Sequence, residues 1–409
     1  MLLGSDGQSS YSQCGGDILG SPHVQSVAEL YACRRVQGIE KPNKASLLLL
    51  CVLYVLQGEV AAASCGEGPA GLGSDSATTC HIVAFRNPTT GRTCLAHLDD
   101  ARKVEESVAC MLRLMSTGGD GEEEPLDLYV VGGYVGKTCS EALSNALLCV
   151  LHNSPRAFRV VLACMSRLNS MRPAASSAAP TGDSVPVSQT PAAQPPSVGS
   201  DWGPSASGRT NGGVACEGGM QGRDVASEGA SSARADVGCV RDPQARRNHP
   251  VPTYTSSVKD NDVRHRGNGW LPRQTGLAID LRSGQAYPVR FEGEGRGPGW
   301  EVRSSRVFSG SREEALTEIY VSDSVVVSPF PVFVDPRWLT RMLVLPDREL
   351  LAQTSTSPEA EDDRFVADVR AQFSYMLARL GADGQSWCEN VFGAGGGRPL
   401  VFPRLAPTT

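Results

Sequence analysis

Cys80 and His97 stand seventeen positions apart (97 − 80) on either side of a turn, which makes them a candidate catalytic pair. Two apolar runs, His81–Phe85 and Thr93–Ala96, flank Asn87-Pro88-Thr89-Thr90-Gly91, a set of turn formers ending on a glycine able to take positive φ. The pattern is that of a β-hairpin. Pairing Arg86 with Gly91 puts Cys80 opposite His97, and directly opposed residues share a face with Cβ atoms about 4.5–5.5 Å apart. A thiol and an imidazole at that distance can share a proton, the minimum for a thiolate nucleophile with an acid/base partner. His81 adjoins Cys80, but alternation along a strand turns it to the opposite face and makes it a structural histidine.

The elements that must hold this pair read as an α+β fold. Leu47–Ala63 supplies the first strand or strands, and Ser64–Gly73 is a glycine-rich loop leading to Cys80. Val104, Val108, Met111, Leu112 and Met115 recur at helical spacing, as do Leu143, Leu147, Val150 and Leu151. Leu126–Val131 and Phe158–Cys164 are apolar strands, so strand, helix and strand alternate in an α/β layer. Gly276–Leu281 and Ala286–Phe291 make a second hairpin, Val326–Val334 an extended edge, and Phe365 to Leu380 a long amphipathic helix. Between them, residues 172–269 are dominated by Pro, Ala, Ser and Gly with almost no apolar periodicity, the composition of a disordered insertion within one domain. The expected organisation is a poorly structured 1–43, a catalytic domain in two parts at 44–171 and 270–382, and a flexible tail at 383–409.

Composition excludes several classes. A net charge of −6 over 409 residues does not support a nucleic-acid partner. Thirteen cysteines, an odd number without C-x-x-C spacing, make zinc and disulfide scaffolds poor readings and favour a reducing compartment. Leu47–Leu56 is apolar, but ten residues are half of what a membrane span needs and Gln57 and Glu59 close the run. It also begins more than forty residues in, without a basic region at the terminus, unlike a signal peptide.

The run Leu72-Gly73-Ser74-Asp75-Ser76-Ala77-Thr78-Thr79-Cys80-His81, followed by Thr93-Cys94-Leu95-Ala96-His97-Leu98-Asp99, closely resembles the protein N-terminal asparagine amidohydrolases. The same layout is similar to the CheD-type chemoreceptor glutamine deamidases and to the cytotoxic necrotizing factor toxins. The likeness to the amidohydrolases extends through Pro329-Phe330-Pro331 and Ser355-Thr356-Ser357-Pro358. It implies a single domain whose mixed or antiparallel sheet, or sandwich layer, is flanked by helices. It also implies a hydrolase that deamidates an N-terminal asparagine to aspartate and so creates an N-degron. In the CheD pattern a hydroxyl residue lies six positions before the nucleophile, and Ser74 matches it as the group that orients His97; Asp75 and Asp99 are the carboxylate alternatives.

Three activities stay open: an N-terminal asparagine amidohydrolase, an internal-glutamine deamidase, and a non-catalytic protein that binds N-termini in the same cleft. In the first, the Cys80 thiolate attacks the side-chain amide and backbone N–H groups near Thr79–Cys80 hold the oxyanion. His97 protonates departing ammonia and then activates the water that cleaves the thioester. Asp75 is the candidate acceptor for the substrate's α-ammonium. Gly132-Gly133, either a plain tight turn or a place of close backbone approach, resembles a paired-glycine turn of both families. No metal or cofactor is needed, the expected partners are proteins or peptides with N-terminal Asn, and the expected form is a monomer in the cytoplasm or nucleus.

Overall fold

A computed structural model describes residues 2–3, 18–39, 52–116, 124–172, 269–308, 314–330, 334–379 and 398–403. The expected insertion therefore lies, at 173–268, outside the described residues, as does most of the expected tail. Seven strands form a mixed sheet in the spatial order Leu2–Leu3, Phe158–Met165, Leu126–Gly132, His81–Arg86, Thr93–Leu98, Glu59–Ala63 and Thr317–Glu318. A four-stranded sheet runs Ala286–Tyr287, Leu277–Asp280, Gly71–Ser74 and Val52–Tyr54.

Every residue of His81–Arg86 and Thr93–Leu98 is buried, which explains why both runs are almost continuously apolar instead of alternating. On one face of the large sheet, Val83, Phe85, Ala96 and Leu98 pack with Val108 and Met111 of the helix Val104–Met115 and Leu143, Leu147 and Leu151 of the helix Thr138–Asn153. On the other face, Ile82, Ala84, Leu95, Tyr129 and Val131 meet Leu72, Leu277 and Ile279 of the smaller sheet. Helices, large sheet and small sheet thus stack as three layers, an α+β architecture of the expected kind.

The structure departs from the sequence expectations at both ends. Within the expected poorly structured 1–43, where Val24–Val36 could form a short helix, Pro22–Ala32 is a helix with Val24, Ala28 and Tyr31 buried, and the Tyr31 hydroxyl donates to Gly276 O at 2.7 Å. Near the other end, Leu400–Pro403 pairs with Ser324–Val327, whose far side is taken by Tyr320–Val321. Ser324–Val327 is therefore a central strand and not an edge. Its ladder stops before Pro329, which has no N–H to give. The second hairpin is also shorter than expected: Leu277–Asp280 pairs with Ala286–Tyr287, and after Pro288 the chain pairs Val289–Phe291 with Gln37–Ile39. Val52–Tyr54, inside the tested apolar run, is a strand. Among the described residues no helix is long and apolar enough to cross a membrane.

Helices Trp300–Phe308, Pro336–Leu343, Asp347–Thr354 and Phe365–Arg379 share a separate core around Leu339, Met342, Leu350, Val369 and Phe373. A buried ion cluster ties the first of them to the large sheet. Arg303, 0% exposed, donates through Nη2 to Glu59 Oε2 at 2.6 Å and to Tyr54 O at 2.5 Å. Arg306 Nη1 reaches Glu59 Oε1 at 3.3 Å, and the Leu56 N–H donates to Glu59 Oε2 at 2.9 Å. Removing the one carboxylate would leave a guanidinium buried without a counter-charge, the costly way to break such a cluster. Glu59→Gln is expected to lower the unfolding free energy by about 3 kcal/mol, read as a shift in the urea midpoint at unchanged m-value. A shift under about 1 kcal/mol would show that water reaches this cluster.

Candidate active site

Residues 75–80 carry the chain from the smaller sheet, which Ser74 leaves, to the larger sheet, which His81 enters. The turn is tight. Ser76 takes φ 59°, in the left-handed region, the Thr78 N–H donates to Ser76 O at 3.0 Å, and the Ala77 N–H donates to Thr275 O at 2.9 Å. Cys80 is the last residue of this turn and is half-buried.

The hairpin forms, but two residues out of the expected register. Arg86 pairs with Thr93, and His97 stands opposite Ile82, not Cys80. The reason is the turn. The Asn87 N–H donates to Arg92 O, the Asn87 side-chain oxygen accepts the N–H groups of Thr89 and Thr90, and Gly91 closes the loop at φ 73°. Asn87 and Arg92 therefore close the loop, and the ladder starts one residue further out on each strand. Because side chains alternate with a period of two, a two-residue shift leaves each on its face. Cys80 packs with the Ile82 and Leu95 side of the sheet, which His97 shares by alternation. Diagonal neighbours of this kind lie about 7–8 Å apart, within reach of a long side chain such as imidazole.

His97 is buried, and its Nδ1 lies 2.8 Å from Ser74 Oγ on the facing sheet. The hydroxyl expected to orient the imidazole is thus in contact with it. Of the carboxylate alternatives, Asp99 accepts from Gln57 Nε2 at 2.7 Å. Asp75 turns away into the small sheet: Oδ1 accepts the Tyr54 hydroxyl at 2.8 Å and Ser76 Oγ at 3.3 Å, and Oδ2 accepts the Phe291 N–H at 2.6 Å. Burial raises the Asp75 pKa above the ordinary carboxylate value, against the pull of these donors. His81 points to the helical layer, with Nε2 2.9 Å from Ser144 Oγ. Burial first, and the charge on His97 second, push its pKa down to about 3.

Gly132 and Gly133 end the strand beside His81, with φ 116° and 64°. A Cβ on Gly132 would stand 2.4 Å from Cys80 O, and one on Gly133 2.5 Å from the His81 ring. Their bareness lets the Cys80 turn lie directly on the sheet. Thr79 Oγ1 is 2.9 Å from Thr356 Oγ1, and Ser357 Oγ donates to Thr78 Oγ1 at 2.9 Å. Glu361 Oε1 lies 2.5 Å from Ser355 Oγ, 3.3 Å from Ser357 Oγ and 3.4 Å from Thr78 Oγ1. Alongside, Glu359 takes Lys137 Nζ at 2.7 Å and the Tyr134 hydroxyl at 3.0 Å. Sequence reasoning missed Glu359, Glu361, Tyr54, Tyr134 and Lys137. The one available signal was the hydroxyl-rich Ser355-Thr356-Ser357 leading into two glutamates. Among the described residues no group of His, Cys, Asp and Glu could hold a metal ion.

The family model for protein N-terminal asparagine amidohydrolase matches residues 42–213 and 245–404. The protein of that name from pig (Sus scrofa) is 31% identical over 371 residues, 89% of this chain and 84% of the pig protein. The mouse (Mus musculus) protein is 35% identical over 120 residues, 29% of this chain, and that alignment spans 39% of the mouse protein's length. The human protein is 31% identical over 160 residues, 38% of this chain and 49% of the human one.

The buried state of His81 has a measurable consequence. Unfolded, it takes up a proton below its ordinary pKa of 6.5; folded, it does so only near 3. Stability supplied by this group is thus present above pH 6.5 and is lost as pH falls toward 3, at up to about 1.4 kcal/mol per pH unit. The unfolding free energy of the unsubstituted protein is expected to drop more steeply than that of His81→Gln between about pH 6 and 4.5. Equal slopes would show that His81 charges in the folded state.

Proposed function

The chain belongs to the protein N-terminal asparagine amidohydrolase family, and we propose that it hydrolyses the side-chain amide of an N-terminal asparagine to give aspartate and ammonia. The observation that carries this reading is the buried Ser74–His97 contact at 2.8 Å, on the sheet face that Cys80 shares. With Nδ1 engaged by Ser74, the other ring nitrogen, Nε2, is the one available to exchange protons with the thiol.

In the proposed sequence, His97 takes the Cys80 proton and the thiolate sulfur adds to the asparagine side-chain carbonyl carbon. The carbonyl π electrons move to oxygen, and backbone N–H groups of Thr79 and Cys80 receive that charge. Collapse breaks the C–N bond, and the imidazolium gives its proton to the leaving amide nitrogen, releasing ammonia and leaving a thioester. Water, deprotonated by the same imidazole, adds to the thioester. The C–S bond breaks and the thiol is restored. The balance is asparagine plus water to aspartate plus ammonia, carried by protein groups and solvent alone. An N-terminal aspartate is the signal that would feed the N-degron pathway, and we place the activity in the cytoplasm.

Ammonia release from short peptides starting with Asn or Gln tests the reading. Asn peptides are expected to be turned over. Gln peptides should be at least about a hundredfold slower, because one extra methylene moves the carbonyl by about an ångström from a nucleophile fixed at a strand end. Cys80→Ala and Cys80→Ser should both be inactive, and His97→Ala should lose about two orders of magnitude or more, whereas His81→Ala should chiefly lower thermal stability. Turnover by Cys80→Ala within tenfold of the unsubstituted protein would remove the thiol from the mechanism. A preference for internal glutamine would replace the proposed substrate with the other deamidase class.

A further inference from the structure

An N-terminal substrate carries a positive charge beside the bond that is cut, and the protein must supply an acceptor for it. Reach limits the choice. Three bonds separate the α-nitrogen of asparagine from its side-chain carbonyl carbon, so the two stand no more than about 4 Å apart. The attacking sulfur must come within about 3–3.5 Å of that carbon. Adding a hydrogen bond of about 3 Å, the acceptor lies within about 10 Å of the Cys80 sulfur.

Three carboxylates border the turn, and their partners separate them. Asp75 is 4% exposed and both its oxygens are occupied by Tyr54, Ser76 and Phe291. A further donor would have to reach a carboxylate that is almost closed to solvent. Glu359 has a cation already, Lys137 Nζ at 2.7 Å. Glu361 has none. All three hydroxyls within hydrogen-bond distance of it, from Ser355, Ser357 and Thr78, fall on Oε1. Among the described residues no hydrogen bond falls on its Oε2, which is not closed off from solvent. Thr78 is two residues before Cys80, a separation that extended chain spans with about 7 Å. Glu361 is hydrogen-bonded to Thr78 and so borders the turn that carries the nucleophile.

We propose that Glu361 receives the substrate's α-ammonium on Oε2, while Thr78 and Ser355 donate to Oε1 and Ser357 donates to Thr78. The carboxylate is held from one side by neutral donors, burial raises its pKa above the ordinary carboxylate value against their pull, and a cationic ligand would favour its charged form. Those donors also tie it to the turn that carries the nucleophile, so acceptor and sulfur keep a constant separation. The assignment rests on the deamidase reading above. It adds that the enzyme selects free N-termini through a residue some 280 positions from the nucleophile in sequence (361 − 80 = 281).

The test uses the full chain and one peptide with N-terminal Asn, free or acetylated. Binding is measured by calorimetry in the Cys80→Ala background, and ammonia release with Cys80 intact. Glu361→Gln keeps an oxygen for the three hydroxyls but turns an amide N–H2 toward the ligand. It is expected to raise KM and Kd for the free peptide about tenfold to a hundredfold, to change kcat less, and to leave the acetylated peptide within about twofold. Glu361→Asp, which keeps the charge, should retain more of the preference for the free amine than Glu361→Gln. A free-to-acetylated ratio within about twofold of the unsubstituted protein's in Glu361→Gln, or a preference lost equally in both variants, would overturn the assignment. If the unsubstituted protein prefers the free amine in binding, through Glu361, yet releases no ammonia, the deamidase reading fails and the assignment stands. If it neither binds nor cleaves the free peptide, both fall.

Discussion

The candidate site depends on a hydrogen bond that crosses between two sheets. Ser74 ends a strand of the smaller sheet and His97 lies in the larger one, and their 2.8 Å contact exists only while the two layers are packed. Stacked sheets sit about 10 Å apart, and an imidazole and a serine hydroxyl meeting end to end fill much of that gap. The apolar contacts of Ile82, Leu95 and Val131 with Leu72, Leu277 and Ile279 therefore set the geometry of a polar pair. The turn of residues 75–80 takes the chain across the same gap and delivers Cys80 at its far side. Burial serves the site as well as the fold. A bare imidazole can bind through either nitrogen, and one held at Nδ1 in a dry interface keeps a single orientation.

Buried carboxylates in this protein divide by how fully they are satisfied. Glu59 is surrounded by Arg303, Arg306 and the Leu56 N–H, and Asp75 by two hydroxyls and a backbone N–H. Each joins strands or helices distant in sequence and has a donor on both of its oxygens. Such groups hold structure, because any new ligand must first displace a bond whose loss leaves a buried donor unpaired. Glu361 differs in having one oxygen committed and one open. On the proposed assignment, this difference in surroundings is what makes Glu361 rather than Asp75 the acceptor.

Much of the site was legible because its parts are local. The turn residues Asn87 and Gly91, the alternation that separates His81 from His97, and the glycines at 132 and 133 all act within one hairpin or strand end. The hairpin register was misplaced by two residues because the loop closes at Asn87 and Arg92, with the Asn87 side-chain oxygen taking the Thr89 and Thr90 N–H groups, one residue later on each strand than the Arg86–Gly91 pairing. The faces survived that error, since strand periodicity is two. The helix Pro22–Ala32 and the strand Leu400–Pro403 were underestimated for another reason: each is short and gains its stability from partners far along the chain, Gly276 in one case and Ser324–Val327 in the other.

By itself the sequence singled out Cys80 and His97 as candidates on one face of a two-strand unit, because neighbours in a hairpin are set by turn and period. It also determined the alternation of strands and helices that builds the layers. Tertiary structure alone decided which polar group reaches His97 and which carboxylate keeps a vacancy. Ser74 meets His97 across two sheets, and Glu361 reaches Thr78 from 283 residues away. Saturation of a hydrogen-bonding group is a property of the space around it. It follows from which donors arrive there when the layers close, and the order of residues along the chain does not contain that information.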